Sequence, residues 1–370
     1  MAQRVTPPFR ADHVGSLLRP PELTRAREDR AAGRISAADL RDAEDRAIRG
    51  AVALQEETGL QSATDGEFRR AEWHTDFIKR IGGLVEGPSG VRVTAHGADG
   101  GELSYDAHPF QVTGKVHLAE TIFGDDFAFL ASAAATAVGK QTIPSPSMAH
   151  FRADLSGSGY ADRDQYRSDL AAVYADEIAR LAGLGCRYLQ LDDTVFAFLN
   201  DPRWRQTMAA SGGDPDHQHE INLRVINQAL AGRPDGLTVT VHMCRGNYRS
   251  AWFTSGGYDY VAEAVFSGLH ADAFFLEYDD ERSGSFEPLR FVAEPKLVVL
   301  GLVTTKTPEL ESKDELKRRI DEAARFVPLE RLCLSPQCGF ASVAEGNALT
   351  IDQQRAKLDL VVQTAAEVWG

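Results

Sequence analysis

The 370-residue sequence is short of cysteine, of basic charge and of long apolar runs, and each shortage excludes something. Four cysteines are too few to staple a chain of this length. A disulfide framework is therefore excluded, and thiols kept reduced in a cytoplasm are expected. Lys and Arg number 40 against 54 Asp and Glu, a formal charge of -14. Nucleic acid and anionic membrane surfaces attract basic patches, so neither is an expected partner. No apolar run is long enough to cross a bilayer, and the opening stretch MAQRVTPPFRADHVGS lacks the apolar core of a secretory signal. No internal repeat, low-complexity linker or domain boundary is visible. The expectation is a soluble cytoplasmic protein acting on small molecules.

What the sequence does contain is a regular alternation of strand-like and helix-like segments. Candidate strands lie at 11–17, 61–68, 140–146, 188–194, 237–244, 271–278, 296–305 and 331–338. Helical patterns separate them. In 168–185, Leu170, Val173, Tyr174, Ile178 and Leu181 recur at helical spacing and Gly183 or Gly185 supplies a stop. In 312–327, Ser312 precedes Asp314 and Glu315, a capping pattern that suits the positive end of a helix. Eight strands with intervening helices predict a single (β/α)8 TIM barrel over residues 1–370, a fold that commonly needs about 250 residues. The excess falls in an N-terminal helical extension (20–58), an inserted β-hairpin after strand 2 (82–118) and a polar loop (211–220).

The stretch LTVTVHMCRGN (237–247) carries the chemistry. On a strand, Val239, Val241 and Met243 share one face, while Thr238, Thr240, His242 and Cys244 share the other. An imidazole and a thiol thus end one face together. Other unusual residues also sit at strand ends: Asp65-Gly66-Glu67, Asp192-Asp193, Glu277 in FFLEYDD and Cys338 in LSPQCGF. A parallel barrel brings all C-terminal strand ends to one mouth. His242, Cys244, Glu277 and Cys338 would then meet, and two thiolates, an imidazole and a carboxylate suit Zn2+.

The ordered set HVGS, DGE, LQLDD, VHMC, LEYDD and SPQCGF resembles the catalytic C-terminal barrel of cobalamin-independent methionine synthase and its shorter stand-alone relatives. The resemblance covers nearly the whole chain, and the HxC…E…C set is its specific part. It implies zinc ligands at His242, Cys244, Glu277 and Cys338, and transfer of a methyl group to the thiol of homocysteine by direct displacement. It further implies homocysteine contacts at Val14, Gly15 and Ser16, and carboxylates for the substrate ammonium at Glu67 and Asp192. Asp192 is also a catalytic candidate. The family's proton-donating histidine falls in the stretch matching VTTKTPE, where Lys306 stands instead. Lys306 is therefore the second catalytic candidate, and its identity bears on the methyl donor: methyl-folate, a methylated corrinoid or a small alkyl compound. The family's aromatic pterin contact falls near SPSMAHFRAD, with Phe151 as the approximate match, and its DEP-type triplet reads Asp192-Asp193-Thr194.

A second reading keeps the zinc thiolate and changes both substrates, as in a relative that joins coenzyme M to an epoxide. A metallohydrolase and a purely structural zinc site are the remaining alternatives; two thiolates lower the metal's acidity for the first, and wide ligand spacing disfavours the second. Trp73 and His74 are expected on a loop over the mouth, with Arg245 and Asn247 beside the HxC pair. His13 is read either as a mouth residue or as a structural one. Cys186 and Cys333 read as core fillers, His217 and His219 as surface residues. His96, His108 and His117 fall in the hairpin without ligand spacing.

Overall fold

The structure is a computed structural model that describes every residue except 1–3, 89, 90, 98, 99, 108, 152, 211 and 212; His108 and the first two residues of the polar loop thus lie outside the described residues. Seven strands form one parallel sheet in chain order: Ser62–Ala63, Val138–Pro144, Tyr188–Asp193, Thr238–Met243, Ala273–Glu277, Leu297–Val303 and Leu332–Pro336. The sheet curls. Ala11 bridges Leu334 in parallel at its far edge, where Asp12 N donates to Leu334 O at 3.0 Å and Leu334 N to Arg10 O at 2.8 Å. On the other side Leu17 N donates to Gly66 O at 3.1 Å. The eight expected strands therefore close a TIM-barrel-like (β/α)8 ring.

Two of them are shorter than expected. The segment 11–17 keeps a single bridge because Gly15, at φ 144, turns the chain out of extended geometry. The segment 61–68 stops at Ala63 because Gly66 and Glu67 both adopt the left-handed region, at φ 67 and 61. Glycine enters that region freely, whereas a glutamate there costs of order 1–3 kcal/mol. Both turns aim side chains into the mouth.

Helices cover the outside. Arg163–Gly183 starts five residues before the sequence pattern because Asp162 caps it, accepting from Gln165 N at 2.8 Å; its buried face includes the five predicted residues. Lys313–Ala323 begins behind Ser312, which accepts from Glu315 N at 3.2 Å. The N-terminal extension is two helices, Pro21–Ala31 and Ala37–Glu57, the second opened by a Ser36/Asp39 capping box. No helix among the described residues is long and apolar enough to cross a membrane. The polar loop is shorter than expected, since helix Gln218–Leu230 already contains His219. His217 pairs with Asp214 at 2.8 Å.

The insertion is two ladders, not one. Gly82–Glu86 pairs with Phe110–His117, and Val91–His96 pairs with Glu102–Ala107. Its end docks on the loop after Thr238–Met243: His96 N donates to Trp252 O at 2.7 Å and Trp252 N to His96 O at 3.0 Å. Arg282 lies 4.8 Å over the Trp252 ring.

The two faces of Thr238–Met243 separate as the alternation requires. Val239, Val241 and Met243 join the large core under the helices. Inside the barrel, Val14, Tyr188, Ala273, Phe275, Val299 and Cys333 form a smaller cluster. Beside it Lys140 is buried, 3.3 Å from Asp12 and 4.0 Å from the Phe275 ring. Cys186 and Cys333 are buried core residues as expected. Burial pushes their thiols up to about 11 and 12, so neither is a nucleophile near neutral pH.

His13 and His150 are buried with no partner on either ring nitrogen among the described residues. Burial, with Lys140 adding repulsion, lowers His13 to about 4; burial and Arg167 lower His150 to about 3. A depressed folded-state value contributes stability above the unfolded value of about 6.5 that is lost as pH falls. We expect the unfolding free energy to drop between pH 6.5 and 4, by up to about 3 kcal/mol per histidine at pH 4. Denaturant titrations of wild type and His150→Phe should show a shallower drop in the variant.

Candidate active site

The strand register puts the chemistry at one end. His242 is next to last in Thr238–Met243, Cys244 follows that strand, and Cys338 lies two residues past Leu332–Pro336. Their ligand atoms all fall within 4.8 Å of one another, and the two sulfurs are 3.8 Å apart. All three residues are at most 5% exposed. A disulfide would need about 2.05 Å, so these are free thiols. The sulfurs share a hydrogen bond that holds Cys338 well below the usual thiol range and Cys244 well above it. Neither nitrogen of His242 has a protein partner among the described residues. An unsatisfied buried imidazole beside one favoured thiolate and a second thiol is a soft donor set. It fits zinc.

Glu277, the fourth expected ligand, is not in that cluster. Its Oε1 lies 3.2 Å from Lys306 Nζ and 2.8 Å from Arg282 Nη2, and its Oε2 accepts from Arg245 N at 2.6 Å. Burial opposes its charge, but Lys306, Arg282 and Arg245 outweigh it and hold the carboxyl well below its usual range. Lys306 departs from expectation as well. Its Nζ sits 2.7 Å from Asp279, and it is absent from the cleft wall. Burial opposes its charge, yet Asp279 and Glu277 raise it above the ordinary lysine value. A lysine so held is a poor proton donor; it is a counter-ion to two acids.

Above the cluster opens a cleft of about 1320 Å3, solvent at its mouth included. Val14, Ser16, Glu67 and Asp192 line it with His242, Cys244 and Cys338. Asp192 pairs with His242 in the strand register, and its Oδ1 accepts from Gln190 Nε2 at 2.7 Å. Burial, helped by Glu67 and opposed by His242, pushes Asp192 up to about 7. Glu67 Oε1 accepts from Thr142 Oγ1 at 2.7 Å and lies 3.5 Å from Arg70. Gly15 stands behind the wall: a Cβ there would lie 2.8 Å from Thr142 Cγ2 and 3.3 Å from Glu67 Oε1. A Cβ on Gly339 would lie 1.9 Å from Ser16 Oγ. Both glycines leave room for the polar atoms beside them.

Trp73, His74 and Phe151 also line the cleft, as does Asn247, whereas Arg245 does not. Arg245 instead ties the loop together through Gly256 O, Glu277 O and Ser283 O. Sequence reasoning missed Phe198, Trp204, Phe253 and the hairpin residues Glu86, Val93, Pro109 and Phe110. Phe198 follows the Asp192-Asp193-Thr194 strand end by four residues, a usable signal. Asp193 itself is structural, accepting from Ser145 Oγ at 2.5 Å and Phe196 N at 3.0 Å.

A parallel barrel with a buried His/Cys/Cys cluster open to a cleft at its C-terminal mouth defines a class of thiolate-site barrel proteins. Within that class, residues 127–367 match the family model described as the catalytic domain of cobalamin-independent synthase. The chain belongs to this methyltransferase family. It is 48% identical to the uncharacterized protein YxjH of Bacillus subtilis, over 98% of this chain and 95% of that one. It is 26% identical to a methionine synthase of Pyrococcus horikoshii, over 88% and 84%. A Listeria monocytogenes structure described as a vitamin-B12 independent methionine synthase superposes with a TM-score of 0.80 at 39% identity, covering 99% of this chain and all of that one.

Proposed function

We propose that residues 1–370 act as one barrel domain that binds a single zinc ion through His242, Cys244 and Cys338 and methylates the thiol of homocysteine. The observation that carries this reading is the three-residue cluster in a cleft whose walls also carry the carboxylates of Glu67 and Asp192 and the hydroxyl of Ser16. Zinc bound there would supply a thiol substrate that is deprotonated at neutral pH yet still nucleophilic. Glu67 and Asp192 would pair with the substrate ammonium, and Ser16 Oγ and the backbone at Val14 and Gly15 would orient its carboxylate end. Glu277 would act as a fourth, harder ligand, with Lys306 and Arg282 competing for its oxygens. The missing Cβ atoms of Gly15 and Gly339 leave room for Glu67 and Ser16 on the head-group side. A cytoplasmic setting, where thiols stay reduced, suits the free sulfurs.

The alternative thiol, a small one joined to another alkyl group, is disfavoured by the two carboxylates, which favour an ammonium-bearing substrate. Zinc-loaded protein incubated with homocysteine and a panel of methyl donors should give methionine by mass spectrometry. Equal turnover of an amino-free thiol would favour the alternative.

A further inference from the structure

Neither Arg19 nor Arg27 lines the cleft, yet both guanidiniums end on the backbone that shapes it. Arg19 lies three residues past Ser16. Its Nη1 donates to Ala341 O at 3.4 Å and Val343 O at 3.2 Å, and its Nη2 to Glu67 O at 3.1 Å and Arg70 O at 2.9 Å. One planar fork thus joins the Ser16 loop, the Glu67 turn and the residues after Cys338. Backbone bonds tie the first and last of these: Phe340 N donates to Ser16 O at 2.9 Å, and Ala341 N to Ser16 Oγ at 3.3 Å. Arg27, on helix Pro21–Ala31, reaches the same turn. It donates to Phe68 O through Nη2 and to Arg70 O through Nη1, the latter at 3.1 Å. Its Nη2 also lies 3.5 Å from Glu44 Oε1 on the second helix. Arg70 O therefore accepts from both arginines. Burial, with Arg27 beside it, lowers Arg19 to about 10, so it stays charged at neutral pH.

We infer, resting on the homocysteine reading above, that Arg19 and Arg27 are positioning residues: by clamping the carbonyls of the Glu67 turn they set recognition of the amino-acid end of the thiol. The turn needs such a clamp. Glu67 stands at φ 61, a conformation that persists only where its surroundings impose it. Packing there is interrupted by a cavity of about 930 Å3, solvent at its mouth included, lined by Leu17, Leu18 and Phe68 with Ala26, Ala47 and Ala51 of the two N-terminal helices. A misplacement of about 1 Å can cost about a hundredfold even when its origin is far from the chemistry. Lysine is no substitute at position 19, because one ammonium does not span four carbonyls as a planar fork does. The metal cluster is anchored separately. His242 lies within strand Thr238–Met243, and the residue before Cys338 is tied to the barrel by Gln337 N donating to Val303 O at 2.8 Å. The N-terminal helical extension thereby acquires a role in substrate selectivity without touching the substrate.

The test is calorimetric binding of homocysteine, and of 4-mercaptobutyrate, which lacks the amino group, to the zinc-loaded full chain. Wild type is compared with Arg19→Lys, Arg27→Met, Glu67→Gln and the double variant Arg27→Met/Glu67→Gln, with zinc content and circular dichroism read on each. We expect Arg19→Lys and Arg27→Met each to weaken homocysteine binding about tenfold or more, while zinc content and the Kd for 4-mercaptobutyrate hold. In the Glu67→Gln background Arg27→Met should cost nothing further, because a residue acting through the Glu67 carboxylate has no effect once that charge is gone. Unchanged homocysteine affinity, an equal loss for both thiols, or a full loss that persists in the Glu67→Gln background overturns the inference. So does loss of zinc or of the fold in both arginine variants, which would make the clamp purely structural; each of these results leaves the thiol reading standing. Wild type that binds no homocysteine overturns that reading, and the role of the clamp with it.

Discussion

Replacing Cys244 or Cys338 with serine is expected to abolish stoichiometric zinc and to lower methionine formation by at least about a thousandfold. A serine hydroxyl does not ionise near neutral pH, so the variant loses a charged soft ligand and keeps a weak neutral one. Residues that merely support metal ligands cost roughly 10–100-fold in affinity or activity when changed, and a ligand should cost more. His242→Gln should behave alike, since neither imidazole nitrogen has a hydrogen-bond partner among the described residues. Metal analysis after dialysis, read beside circular dichroism, separates metal loss from unfolding. Turnover retained by a zinc-free variant would contradict the mechanism. Lys306→Met gives a contrasting case: the lysine contacts Glu277 and Asp279 and not the cleft, so zinc content should change before any acid-limb of the pH profile does.

The second large effect is expected at the carboxylates. Glu67→Gln and Asp192→Asn should each raise the KM for homocysteine by about 10–100-fold, the size of a charge-assisted hydrogen bond of about 1.5–3 kcal/mol. The amino-free analogue 4-mercaptobutyrate should be a poor substrate for wild type and variants alike, because it has no ammonium to lose. Asp192 sits at about 7 before substrate arrives. Its charged form is thus present above that pH and lost below it, and homocysteine affinity should rise as pH increases through 7. Steady-state kinetics at pH 6 and 8 on wild type and Asp192→Asn measure this; a pH dependence that survives in the variant assigns it to another group.

The alternation of strands and helices was readable because parallel strands buried on both faces run as short apolar blocks, such as those ending at Asp193 and Met243. The cluster was readable because a two-residue period puts His242 and Cys244 on one face and barrel closure brings Cys338 beside them. What the sequence hid depends on backbone conformation and on competition between charges. Residues 61–68 look extended until Gly66 and Glu67 turn left-handed. Glu277 reads as a metal ligand, and nothing local shows that Arg282, five residues on, and Lys306, in the next barrel unit, reach the same carboxylate. Phe198, Trp204 and Phe253 look like core aromatics, and only the folded loops turn them to the cleft. The insertion was visible as alternating runs, but its docking on Trp252 depends on a backbone pairing between segments more than 150 residues apart.

X-ray absorption at the zinc edge, with and without homocysteine, tests the central claim most directly. The account predicts two sulfur ligands and at least one imidazole in the free protein, with a third sulfur appearing at about 2.3 Å once homocysteine is added. A sulfur count that stays at two under saturating homocysteine, or a site with no sulfur at all, would contradict it.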